Sequence, residues 1–295
     1  PTCVKRDSKS TLICNMNVSV IMPVYNEEKN ISESIESILS QDCKVLELII
    51  INDGSEDSTE DIIYNEYGRD KRVRLFNQDN KGFAYSLNKA LRASSHDFVA
   101  RMDADDRCLS GRVEKQSSFL KENKEVGVVG SDYIRIDNIR NEKYVRKYPK
   151  ENIEIRKDMA KYIPISHSSV MFRKEAVTEV GGYNESLTDH EDLDLWIRVA
   201  QNWELANIPE PLVVRHIRSD SYWHRNFDAH ARNVHLARLN AKVVRDLSLP
   251  FSYYAFPMAR LVYPWLPDSV KRIVRRLGSG IEEQDLEDGP SIPSS

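Results

Sequence analysis

Through the first hundred residues, short apolar runs alternate with stretches whose apolar positions recur every three or four residues. Val18-Ser19-Val20-Ile21-Met22 reads as a buried strand, and Ile31, Ile35, Ile38 and Leu39 mark the helix after it. Leu46-Glu47-Leu48-Ile49-Ile50-Ile51 is a second strand, residues 57–66 a second helix, and Val73-Arg74-Leu75-Phe76 a third strand. Phe83, Leu87, Ala90 and Leu91 give an amphipathic helix, and residues 97–102 a fourth strand. Such alternation predicts an α/β fold, a mostly parallel central sheet with helices on both faces. Beyond about residue 125 the pattern is mixed. Segments 126–136, 168–172 and 212–215 read as strands, and 193–200 and 226–247 as helices.

The three clearest strands end in polar clusters: Tyr25-Asn26-Glu27, Asn52-Asp53-Gly54-Ser55 and Asp103-Ala104-Asp105-Asp106. Ligands of open α/β sheets bind outside the carboxyl ends of the strands, so the clusters mark one edge as a site. Adjacent carboxylates repel unless a cation neutralises them, and Mg²⁺ or Mn²⁺ prefers oxygen ligands from carboxylates and phosphates. Asp103 and Asp105, two apart, share a face of an extended segment. The ordinary alternative is a solvated turn in which Asp105 or Asp106 caps the next helix. Asp53 suits a base N–H or a ribose hydroxyl, or an ordinary turn with Ser55 or Asp57 as helix cap. Tyr25 suits a flat base, while Asn26 with Glu27 would equally cap a helix. A fourth cluster, Asp189-His190-Glu191-Asp192, opens an apolar-striped helix with more carboxylates than capping needs, which points to a general base. His167 and His216, beside strands, are lesser candidates for ligation; His190, His224, His230 and His235 read as ordinary polar residues.

Composition narrows the class. The chain has 295 residues, 40% hydrophobic and 30% charged, with a net charge of -4, which excludes a wholly disordered chain. A pI near 6.1 argues against a nucleic-acid partner. Neither a glycine-rich dinucleotide turn nor a triphosphate loop follows the first strand. Cys3, Cys14, Cys43 and Cys108 make neither metal pairs nor a disulfide framework, and no apolar run reaches about 18 residues. The expectation is a cytoplasmic protein, at most peripheral to the cytoplasmic face of a membrane.

In order, these clusters resemble the inverting glycosyltransferases of family 2, which have the GT-A fold. The resemblance rests on residues 20–27, 51–57, Asn80-Lys81-Gly82 with Asn88, 102–106, and Gly182-Tyr183 leading to Glu191-Asp192-Leu193-Asp194-Leu195-Trp196. It covers about residues 17 to 220. It implies a Rossmann-like GT-A domain over 17–225, after a polar segment at 1–16. It also implies that Pro23, Tyr25, Glu27, Asp53, Gly82 and Asp103 hold a nucleoside-diphosphate sugar, with UDP the leading nucleotide. Asp103 and Asp105, with His216 as a looser third, would ligate Mn²⁺ or Mg²⁺, and Asp192 with Glu191 beside it would be the catalytic base. The acceptor would be a glycan or a lipid-linked sugar. The chain lacks the Gln-x-x-Arg-Trp segment and membrane helices of processive relatives, so one sugar per encounter is expected. A catalytically silent nucleotide-sugar-binding module is the alternative, though such a module has no use for Glu191-Asp192. A nucleotidyltransferase is another, against which stands the acidic loop after the first strand.

Residues 226–277 read as a C-terminal helical extension. Val270, Ile273, Val274 and Leu277 alternate there with Lys271, Arg272, Arg275 and Arg276. Region 251–277 is expected either to touch a membrane surface or to dock on the catalytic domain. The acidic tail, 278–295, reads as disordered.

Overall fold

The structure, a computed structural model, describes residues 17–41, 47–137, 139, 142–217, 230–265 and 283–285. Three of the four cysteines, the basic run at 270–277 and His224 lie outside the described residues. Alternating elements open the chain as the pattern implies: β1 (Val18–Val24), α1 (Ile31–Leu39), β2 (Glu47–Asp53), α2 (Thr59–Ile62), β3 (Val73–Gln78), α3 (Phe83–Ala93) and β4 (Phe98–Arg101). The second helix runs on into a wider π turn at Ile63–Tyr67. Next come β5 (Arg107–Cys108), α4 (Arg112–Glu122), β6 (Val126–Asp137), β7 (Glu142–Arg146) and α5 (Asn152–Asp158). A 3₁₀ turn at His167–Ser169 leads into β8 (Met171–Arg173), α6 (Lys174–Thr178), α7 (Glu191–Val199) and β9 (Glu204–Ile217). Then follow α8 (His230–Asp246), a 3₁₀ turn at Phe251–Tyr254, α9 (Ala255–Val262), a last turn at Tyr263–Trp265, and β10 (Glu283–Asp285).

The sheet runs β10-β7-β6-β8-β4-β1-β2-β3, with β9 alongside β6 and β5 on β9. Strands β3, β2, β1 and β4 are mutually parallel. From β4 onward the sheet is mixed, because β8 pairs antiparallel with both β4 and β6, while β9 runs parallel to β6. The short β10 adds to the open edge of β7, so part of the acidic tail is paired rather than irregular.

Side-chain alternation splits the core in two. Ile21, Ile49, Ile51 and Val99 face one side and pack with Leu87 and Leu91 of α3, Trp196 of α7 and Val243 of α8. Val20, Met22, Leu48, Ile50 and Ala100 face the other, against Ile31 and Ile35 of α1 and Val113 of α4. Two covered faces explain why β1 and β2 read as continuous apolar runs.

Candidate active site

Because β1, β2 and β4 are parallel, Tyr25, Asp53 and Asp103 emerge at one edge. The antiparallel β8 brings its entry to that edge, and with it His167. The loops after β1 and β2 are sewn together. The Asn26 N–H donates to Ser55 Oγ (3.0 Å), Glu56 N–H to Asn26 Oδ1 (2.8 Å) and Glu27 N–H to Thr59 Oγ1 (2.8 Å). Asn26 takes a left-handed φ of 54° and caps nothing, since α1 begins after Asn30. Asp57, one residue before the Ser58 N-cap of α2, accepts the Thr59 N–H at 3.0 Å. Tyr25 is 47% exposed at the mouth of this edge.

Asp53 is buried, and its carboxylate accepts Gln78 Nε2 (2.7 Å), Lys81 N–H (2.8 Å) and Gly82 N–H (2.9 Å). It therefore shapes the turn that enters α3. Phe83, the first residue of α3, lies under the Arg101 guanidinium, 5.1 Å from ring centroid to carbon. Arg101 ends β4, is 2% exposed, and forks onto Asp103, with one arm at 2.8 Å and the other on the second oxygen. Arg112 of α4 fixes that strand end by donating to the Arg101 carbonyl at 2.7 Å. The Ser34 hydroxyl of α1 lies 2.7 Å from the carbonyls of both Ala104 and Asp106 and shares its one proton between them, which sets the acidic loop.

Asp103, Asp105 and Asp106 bring one ligand oxygen each within 4.8 Å of one another. The capping alternative fails, since α4 starts only at Arg112, behind Gly111. Burial lifts the Asp106 carboxyl to about 6, Arg215 opposing the rise and Asp103 adding to it. Its Oδ2 is buried without a hydrogen bond among the described residues, 3.4 Å from Arg215 Nε. Three converging carboxylates, with the buried Asp106 Oδ2 lacking a hydrogen bond among the described residues, fit a hard divalent cation. His216 lies outside this group; Arg215, its neighbour on β9, makes the contact with Asp106.

On the other side of Phe83 stands His167, ring centroids 6.0 Å apart and edge-on. Its Nε2 is 3.0 Å from Tyr183 Oη, and its Nδ1 is 3.7 Å from Glu191 Oε1. Burial, then Arg101 and Arg215, hold the His167 ring well below its usual pKa, hence neutral. Asn88 anchors the Tyr183 segment, donating to the Tyr183 carbonyl and accepting the Tyr183 N–H, both at 2.8 Å. Burial and the adjacent Asp192 raise Glu191 to about 7, and burial raises Asp192 to about 6. Glu191 thus connects to the strand-end edge through a continuous path of side chains: His167, Phe83, Arg101 and Asp103. Phe83, Arg101, Arg112 and Arg215 carry no motif of their own. In the sequence Phe83 reads only as an apolar position of the amphipathic helix, and Arg101 only as part of the fourth strand. His190, expected to be an ordinary polar residue, is buried, left-handed at φ 58°, and stacks on His235 with ring centroids 6.0 Å apart.

The Glycosyl transferase family 2 model matches residues 19–181, more than half of the chain. EpsE of Bacillus subtilis (strain 168) is 35% identical over 260 residues, covering 86% of this chain and 91% of EpsE. This chain belongs to glycosyltransferase family 2. AmsE of Erwinia amylovora, an amylovoran biosynthesis glycosyltransferase, is 31% identical over 206 residues, 68% of this chain and 77% of AmsE. WbnJ of Escherichia coli, an O-antigen biosynthesis glycosyltransferase, is 32% identical over 212 residues, 69% of this chain and 81% of WbnJ. The fold is that of the mannosyltransferase PcManGT from Pyrobaculum calidifontis, solved with GDP-Man and Mn²⁺, at TM-score 0.61 and 20% identity over 89% of this chain and 73% of that one. It is also that of S. aureus TarS 1-349 with UDP-GlcNAc, at TM-score 0.59 and 16% identity over 93% and 98%. Against the longer TarS chain, this family 2 chain spans 43% of its length. Among the described residues of this glycosyltransferase, no helix is long and apolar enough to cross a membrane.

Proposed function

We propose that this glycosyltransferase moves one sugar per encounter, with inversion, from a nucleoside-diphosphate sugar to a glycan or lipid-linked acceptor in cell-surface polysaccharide or glycoconjugate synthesis. UDP is the nucleotide favoured. The names of AmsE and WbnJ support the setting, and the UDP-GlcNAc and GDP-Man complexes of the structural neighbours support the donor class. The observation that carries the reading is the path linking Asp103 through Arg101, Phe83 and His167 to Glu191. It sets a carboxylate cluster suited to a diphosphate beside carboxylates of raised proton affinity.

In this reading Pro23, Tyr25, Glu27 and Asp53 face the base and ribose, and Gly82 leaves the backbone open beside them. Asp103, Asp105 and Asp106 would hold Mn²⁺ or Mg²⁺, which supplies Lewis-acid stabilisation of charge on a leaving diphosphate. Asp192 takes the proton of the acceptor hydroxyl as that oxygen attacks the anomeric carbon, and Glu191 shares the load. A proton affinity above that of an ordinary carboxylate makes Asp192 a better base, while it remains ionised at neutral pH. Attack from the side opposite the departing diphosphate inverts the centre.

A thermal-shift panel of nucleotide sugars with and without Mn²⁺ tests this, followed by NMR of the product made from the hit. Stabilisation by one nucleotide sugar only when Mn²⁺ is present, and a product of opposite anomeric configuration, are expected. Retained configuration would overturn the displacement, and the absence of any metal-dependent donor effect would overturn the donor site.

A further inference from the structure

The last described helices turn an apolar face to solvent. Phe251, Ala255, Met258, Ala259, Val262 and Trp265 are all exposed, with Phe251 at 86% and Trp265 at 79%. They recur at helical spacing, with Met258 and Ala259 adjacent, so along α9 and the turns on either side of it they form one stripe. Five of the ten large apolar side chains exposed among the described residues fall within 251–265. Single exposed apolar residues need no explanation, but a contiguous stripe does. Arg260 is the one charged residue from 247 to 267, and its guanidinium turns inward to the Lys161 carbonyl at 2.7 Å.

Two features identify what covers the stripe. Tyr253, Tyr254 and Tyr263 flank it half-buried, and with Trp265 they supply the amphipathic rings that suit a headgroup boundary. Just beyond, the sequence carries Lys271, Arg272, Arg275 and Arg276 with no acid from 269 to 281, in a chain whose net charge is -4. That local basic charge complements anionic headgroups, and it would repel its own copy across a symmetric dimer contact. We propose that the face formed by Phe251, Met258, Val262 and Trp265 docks on an anionic lipid bilayer, seating these side chains at the headgroup boundary. Docking there sets the cleft near the lipid. The Trp265 ring meets His230 at 6.2 Å at the start of α8, and Arg232 one half-turn on lies 3.4 Å from Asp189, two residues before Glu191. The inference rests on this face and on the basic run that follows it in the sequence, not on the chemistry proposed for the cleft.

Flotation of the full chain with vesicles of phosphatidylcholine plus phosphatidylglycerol, against phosphatidylcholine alone, tests the proposal. The chain should float with the anionic vesicles and release at high salt. Phe251→Ser with Trp265→Ser, and separately Met258→Gln with Val262→Gln, should each weaken binding by roughly tenfold or more. Their melting temperatures should match that of the native chain, because the substituted side chains are exposed. Failure to float, or equal flotation of the native and substituted chains, overturns the proposal. So does a dimer that these substitutions dissolve while anionic vesicles leave the native chain unbound.

Discussion

At the scale of single residues, the acidic loop and the Glu191-Asp192 pair differ in what ionisation asks of them. Asp105 belongs to the three-carboxylate group that would hold the cation, so Asp105→Asn should abolish the Mn²⁺ dependence of donor binding measured by calorimetry. Asp192→Asn should leave that binding intact and slow transfer by about 10²–10⁴-fold. Glu191 makes a sharper prediction about stability. A carboxyl held at about 7 in the fold, against 4.5 in the open chain, binds more protons when folded than when unfolded. Stability is therefore lost as pH rises from about 4.5 to about 7, and stays lost above that. Glu191→Gln removes the buried charge, so it should be more stable than the native chain by on the order of 2 kcal/mol above pH 8, and no more stable below pH 4. Urea midpoints at the two pH values decide this. An equal gain at both would mean that Glu191 is destabilised by its shape, not by its charge.

Elements explain both what could be read along the chain and what could not. The β1-to-β4 alternation was legible because each strand and helix declares itself within a dozen residues. The carboxylates at the strand ends were legible because parallel strands share an edge. Insertion of β8 beside β4 was not, since a three-residue strand seventy positions away leaves no local trace of its partner. With β8 went the place of His167, and so the path between the two carboxylate groups; no spacing brings residues 83, 101, 167 and 191 together. The turn between β3 and α3 offers a test at this scale. Gly54 and Gly82 both take positive φ, 78° and 93°, but a Cβ on Gly82 would meet nothing within 4 Å, whereas one on Gly54 would lie 2.8 Å from the Asn80 nitrogen. Gly82→Ala should cost on the order of 1–3 kcal/mol from the backbone alone, since Gly82 sits at φ 93°, ψ 163°, outside the left-handed helical well and open essentially to glycine. Gly54→Ala should cost more, because the Cβ clash also forces the backbone that presents Lys81 and Gly82 to Asp53 to move. Denaturation curves of the two variants check the ranking; equal losses would show that the turn yields freely.

Across the whole molecule, the parallel half of the sheet carries the strand-end edge with Asp53 and Asp103, and the mixed half with α7 and α8 carries Glu191 and Asp192. The buried cation Arg101 lies between them. It forks onto Asp103, and its charge lowers the proton affinity of both Glu191 and Asp192 against the larger rise that burial imposes. Replacing it separates two roles. In Arg101→Lys the charge remains while the planar fork is lost, so donor affinity should fall and the pH profile of kcat should hold its place. In Arg101→Met the charge goes as well, and the Glu191-Asp192 pair should retain its proton to higher pH. The ascending limb of kcat, measured at saturating donor, should then move upward by about one pH unit. Saturation matters, because a weakened Asp103 alters donor binding in both variants and would otherwise mask the shift. Should the Met and Lys variants share the native pH profile, Arg101 is a scaffold for Asp103 alone, and the two halves of the cleft are not electrostatically joined.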